Sequence, residues 1–89
     1  MSLRIATTQD STGVTLRVSG RLVGPWIAEL QRAFALVAES PGVPVVDVSD
    51  MSFAAAEGVA LLRGLIRLGA LVRGCPAYLV DQLHGEVLP

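Results

Sequence analysis

Lysine is absent from this chain. Its cations are Arg4, Arg17, Arg21, Arg32, Arg63, Arg67 and Arg73, interleaved with eight acidic residues for a formal net charge of −1. Nucleic-acid binders gather basic residues to neutralise phosphates. The arginines here are scattered, so no nucleic acid is expected as partner. Cysteine occurs once, at Cys75, which excludes an internal disulfide and fits a reducing compartment. Histidine also occurs once, at His84. A lone Cys and a lone His make a nucleophile–base pair only by a tertiary approach that nothing in the sequence indicates. Long apolar runs are lacking too. The uncharged stretches fall far short of the roughly 20 residues of a membrane span. Met1-Ser2-Leu3-Arg4-Ile5-Ala6-Thr7-Thr8 lacks the apolar core expected of a signal peptide. The expected location is cytoplasmic. Gly24-Pro25-Trp26 has no following Lys-Ser/Thr, so it is no phosphate-binding P-loop, and no Gly-x-Gly-x-x-Gly is present.

What the chain has is aliphatic side chains. Of 89 residues, 52% are hydrophobic and only 17% charged. This length makes a single domain, small enough to be marginally stable unless its core is rich. Such a composition implies a sheet covered on both faces, or a surface partly buried in a partner.

Leu3–Thr8 reads as a first strand. Asp10-Ser11-Thr12-Gly13 is a turn signal. Val14–Ser19 alternates apolar and polar residues with the period of a strand, which makes the pair a hairpin. Pro25 suits the first position of a helix. Trp26–Glu39 then carries Trp26, Leu30, Ala33, Phe34 and Val37 at helical spacing, and Ser40-Pro41-Gly42 ends it. Val43–Val48 is a nearly continuous apolar run, as in a central parallel strand. Phe53 is expected in the following turn, its ring plugging the core. Glu57–Leu68 is a second helix with Val59, Leu62, Leu65 and Ile66 buried, Arg63 and Arg67 on a surface face, and Gly69 as C-cap. Ala70–Arg73 reads as the last strand. Cys75-Pro76 opens a final helix through about Leu83, with Tyr78, Leu79 and Leu83 facing in. A rival assignment makes Ala77–Val80 the strand, but Pro76 fits a helix start better. The order is β-β-α-β-α-β-α. Right-handed crossovers place the second, third and fourth strands parallel. The expected class is α/β, a small mixed sheet of about four strands with helices packed on it. The core runs from about residue 3 to 83, and residues 84–89 form a tail.

The order and two motifs resemble the STAS domain, the family that includes bacterial anti-sigma factor antagonists. The first motif follows the second strand: Gly20-Arg21-Leu22-Val23 matches the family's Gly and apolar residue but has Val23 where Asp is usual. The second is an apolar strand with Asp, then Phe, then Asp-Ser-Ser/Thr-Gly opening a helix. Asp47, Phe53 and Gly58 match it. Ala55 stands in the Asp position, Ala56 in that of the phosphorylated Ser, and Glu57 in the next. The resemblance runs from about Leu3 to Leu83, and a further strand or helix carried by longer members is expected to be absent. Gly20-Arg21-Leu22-Val23-Gly24-Pro25-Trp26 also resembles the approach to helix one in small stand-alone members. The resemblance implies a STAS-like fold and a protein-interaction role in signalling and transcription regulation, without the phospho-switch. It implies an anti-sigma factor, a kinase-like protein or another STAS protein as partner, and no cofactor.

The residues themselves weigh against catalysis. A helix N-terminus attracts a phosphoryl group or carboxylate, yet Ala54, Ala55 and Ala56 bring no reactive group there. Glu57 more commonly just complements the helix dipole. Ser49 and Ser52 are the hydroxyls nearby, and capping is their commoner use. Asp47 and Asp50 are close in sequence but have no third ligand, and Asp47 at a strand end suits turn capping. Cys75 reads as a small buried or capping residue, and Trp26 as a core or rim anchor. The expectation is therefore no enzyme, no metal, and a partner-binding surface of Val23, Trp26, Ser52, Ala54, Ala55, Ala56, Glu57 and Gly58. The alternative is a small-ligand domain sensing a nucleotide or lipid-like molecule at the same sheet edge, with Arg21 the only Arg near it. A ligand-dependent thermal shift would distinguish this sensor. Self-association as a homodimer is compatible with either.

Overall fold

Alternation of apolar and polar side chains makes the first two strands one-sided, and the computed structural model shows what each side faces. It describes residues 3–10, 13–40 and 42–80. Strand β1 (Arg4–Asp10) pairs antiparallel with β2 (Gly13–Leu22), without interruption from Arg4↔Ser19 to Asp10↔Gly13. Helix α1 (Pro25–Val37), strand β3 (Val45–Ala54), helix α2 (Ala56–Arg67) and strand β4 (Leu71–Arg73) follow. Ala77–Val80 is helical, the described beginning of α3. The expected continuation to Leu83, and His84 with the tail, lie outside the described residues.

The sheet order is β1-β2-β3-β4, with β2, β3 and β4 parallel and β1 antiparallel at one edge. This is the mixed four-stranded α/β architecture expected. The strand after α2 is Leu71–Arg73 rather than Ala77–Val80. Helix α2 ends at Arg67 with Leu68 as its cap, and the expected glycine, Gly69, follows with φ +101°. Gly69 N–H donates to the Ile66 carbonyl and Ala70 N–H to that of Leu65, both at 3.0 Å. Together these two bonds form a Schellman closure.

Helices α1 and α2 share one face of the sheet. Leu16, Val18, Val46 and Val48 from the strands, Leu30, Phe34 and Val37 from α1, Val59, Leu62 and Leu65 from α2, and Leu79 from α3 form one buried cluster. Leu16, Leu22, Leu30, Leu62 and Leu79 are fully buried, each worth about 1.5–3 kcal/mol. By register the other face carries Arg4, Ala6, Thr8, Thr15, Arg17, Ser19, Val45, Asp47, Leu71 and Arg73. None of these is buried. Of the two expectations from composition, coverage of both faces fails among the described residues.

Strand β3 is the main correction. It was expected to end at Val48, but runs to Ala54 through a polar stretch. Its pairing with β2 slips twice, between Arg17 and Ser19 and between Gly20 and Arg21. Each slip gives β3 one more residue than β2, as in a β-bulge. The buried positions change phase accordingly, from Val46 and Val48 to Met51 and Ala54. Phe53 is therefore not in a turn and does not plug the core. It belongs to the strand, 44% exposed.

Candidate functional site

The parallel strands deliver their C-terminal ends to one edge, the position where open α/β sheets present working surfaces. Here β2 ends at Leu22. Val23 and Gly24 turn the chain into α1, with Gly24 at φ 54° and Pro25 opening the helix. The Val23 carbonyl accepts the Trp26 N–H at 3.1 Å. Trp26 is half-buried against the core.

Beside it β3 ends at Ala54, and α2 begins at Ala56 with Ala55 as N-cap. Ala55 has extended backbone angles (φ −69°, ψ 167°) and brings no side-chain cap bond. Its N–H donates to the Leu22 carbonyl at 3.0 Å, and its own carbonyl accepts the Val59 N–H at 2.9 Å. Gly58 is buried one turn on. A Cβ there would lie 2.9 Å from the Leu22 carbonyl oxygen and from two of its side-chain carbons. Only glycine lets α2 approach β2 this closely.

The eight expected surface residues meet at this edge but do not all display side chains. Ala54 and Gly58 are buried and shape the junction from within. Val23, Trp26 and Ala55 are half-buried, and Ser52, Ala56 and Glu57 are exposed. Two neighbours outside this set join the edge. Arg21 and Phe53 pair across β2 and β3, and the guanidinium carbon stands 5.1 Å from the ring centroid. That is cation–π range, worth about 0.5–1 kcal/mol at an exposed site. The usable signal was Phe53 itself, an aromatic ring in an otherwise polar stretch.

The hydroxyls and carboxylates below the junction are engaged in local bonds. Asp47 lies within β3 rather than at its end. Its Oδ1 accepts the Ser49 N–H at 3.0 Å and the Ser49 hydroxyl at 2.7 Å, and its Oδ2 accepts Arg73 at 3.4 Å. The Ser49 hydroxyl, its N–H and Arg73 hold this carboxyl below its usual range against an opposing effect of burial. Gly74, with φ +72°, closes over the pair, since a Cβ would fall 2.7 Å from Ser49 Cβ. Ser52 donates to the Gly20 carbonyl at 3.1 Å. Ser49 and Ser52 thus cap strand backbone and side chain, and neither caps α2. Asp50 faces Arg17 at 3.4 Å, both exposed. No three His, Cys, Asp or Glu gather for a metal among the described residues.

Cys75 is half-buried, and burial pushes its thiol up, away from the reactive thiolate. The Tyr78 hydroxyl donates to the Met51 carbonyl at 2.7 Å, and burial raises its pKa with a smaller effect from Cys75. Arg63 is half-buried, so it shares less of a surface face with exposed Arg67 than expected. A groove of about 400 Å³ runs between α1 and α2 past Phe34, Ala35, Ala60 and Gly64, and includes no junction residue. No helix among the described residues is long and apolar enough to cross a membrane. No protein-family model matches the chain, and no curated protein matches it.

Proposed function

We propose that this chain is a non-enzymatic, STAS-like protein-interaction module of bacterial signalling that acts in the cytoplasm. In this reading it resembles an anti-sigma factor antagonist whose phosphorylatable serine has been lost. The observation that carries the reading is the start of α2. The backbone there is built tightly: Gly58 sits against Leu22, and the Ala55 N–H is bonded to the Leu22 carbonyl. Yet the N-cap and first helical positions are Ala55 and Ala56, with no hydroxyl and no carboxylate. A capping side chain at Ala55 would stabilise by about 1 kcal/mol, so the alanines forgo stability as well as a switch. An alanine-rich helix start flanked by half-buried Trp26 and by Phe53 under Arg21 suits a protein partner, since aromatic and Arg side chains dominate interface hot spots. The partner would be a kinase-type anti-sigma factor or another STAS protein. Ala54, Ala55 and Ala56 bring no nucleophile or base to the helix start itself, which supports a binding role over catalysis.

The test is to present a kinase-type anti-sigma factor with ATP to the native chain and to Ala56→Ser. The native chain is expected to bind and stay unphosphorylated. Ala56→Ser is expected to take phosphate and then release the partner, because the added charge lands in the contact. Phosphate incorporated at Ser49 or Ser52 of the native chain, with control of binding, would overturn the reading. So would failure of the native chain to bind while Ala56→Ser does.

A further inference from the structure

The two edges of this sheet are treated differently. Strand β4 is three residues long. Beyond it along β3, the Met51 carbonyl accepts the Tyr78 hydroxyl, so that edge is short and partly capped. Strand β1 is seven residues long, and among the described residues no strand pairs with its outer side. Natural sheets blunt such an edge with Lys, Pro, a bulge or a short strand. The sequence Arg4-Ile5-Ala6-Thr7-Thr8-Gln9-Asp10 has no Lys, Pro or bulge, carries charge only at its two ends, Arg4 and Asp10, and pairs with β2 without a break. Arg4, Ala6, Thr7, Thr8 and Gln9 are all exposed.

We propose that β1 is the pairing edge of a symmetric homodimer, two copies joining antiparallel about Thr7 to continue the sheet from one molecule into the next. The occupant is a second copy because the strand is complementary to itself. An antiparallel pair centred on Thr7 sets Arg4 opposite Asp10, Ile5 opposite Gln9, Ala6 opposite Thr8, and Thr7 opposite Thr7. All seven residues are used. The cationic residue at one end meets the acidic residue at the other, twice per dimer. Facing also agrees. By register Arg4, Ala6 and Thr8 share one face, Ile5, Thr7 and Gln9 the other, so the Ala6–Thr8 and Ile5–Gln9 pairs each join residues of one face. Thr–Thr and opposite-charge neighbours are favourable cross-strand pairs. A parallel, in-register pairing would instead set Arg4 against Arg4. The two-fold axis closes the assembly at two copies and uses up the edge in each. It also places the two β2–β3 ends at opposite ends of the joined sheet. The inference is independent of the proposed partner surface, to which β1 contributes no residue.

The test is sedimentation velocity over a concentration series for the full chain, Arg4→Asp, Asp10→Arg and the double exchange, with circular dichroism to check folding. The native chain is expected to show a monomer–dimer equilibrium. Each single reversal is expected to weaken it by about tenfold or more, since it sets like charges opposite at two places, and the double exchange to restore it. Amide exchange in β1 of the native chain should slow as concentration rises, a readout that needs no variant. A native chain that stays monomeric throughout would overturn the proposal, as would a dimer indifferent to the single reversals. Protection of β1 only on adding a different protein would assign the edge to that partner and likewise overturn the homodimer.

Discussion

Asp47 shows how a residue that looks like chemistry is engaged in structure. Its carboxylate accepts two bonds from Ser49 and one from Arg73, and its pKa lies below the ordinary 3.8. A group with a depressed folded pKa stabilises fully above its unfolded value, and that stabilisation is lost as pH falls through the folded value. Asp47→Asn should therefore cost about 1 kcal/mol at neutral pH. The gap between native and variant should close as pH drops below 3.8. Urea midpoints for both proteins at neutral and acid pH check this, and a gap that stays constant with pH would refute it. The capping role of Asp47 was legible because an Asp two residues before a Ser is a common local bonding pattern. The contribution of Arg73 was not, because it comes from the neighbouring strand β4.

At the scale of elements, α2 starts with an unfilled cap. Ala55 already has the extended geometry of a capping residue. Ala55→Asp should let a carboxylate accept an N–H of the first turn and face the positive end of the helix dipole. The expected gain is about 1 kcal/mol, read as a raised urea midpoint with an unchanged slope. An unchanged midpoint would mean the side chain cannot reach the first-turn amides from this backbone. The helices were legible because Leu30, Phe34 and Val37, and Val59, Leu62 and Leu65, repeat at helical spacing and all are buried. The hairpin was legible from the alternation of Val14, Leu16 and Val18. The second half of β3 was not. Its two slips against β2 break the period of two, so residues 49–54 read as a turn although the ladder continues. The same slips turned Phe53 outward, and with it a visible part of the candidate surface went unread.

At the scale of the molecule, the buried side chains among the described residues gather on one face of the sheet. Neighbouring residues of β2 make the contrast measurable. Leu16 is 1% exposed beneath the helices. Arg17 points to the opposite face, where its pair with Asp50 spans 3.4 Å between side chains 59% and 58% exposed. Leu16→Ala should cost about 2–5 kcal/mol, since it leaves a cavity in the single core. Arg17→Ala should change stability by less than about 0.5–1 kcal/mol, the range of exposed ion pairs. A small domain has only some 5–15 kcal/mol to lose, so the first variant should unfold at a much lower urea concentration while the second tracks the native chain. The comparison also tests how the outer face is used. A large cost for Arg17→Ala in the isolated chain would show that this face is covered in the folded molecule. A small cost there, with a loss appearing only when a partner or a second copy is present, would place the covering outside the chain. That would answer a composition too aliphatic for a sheet that, among the described residues, helices protect on one side alone.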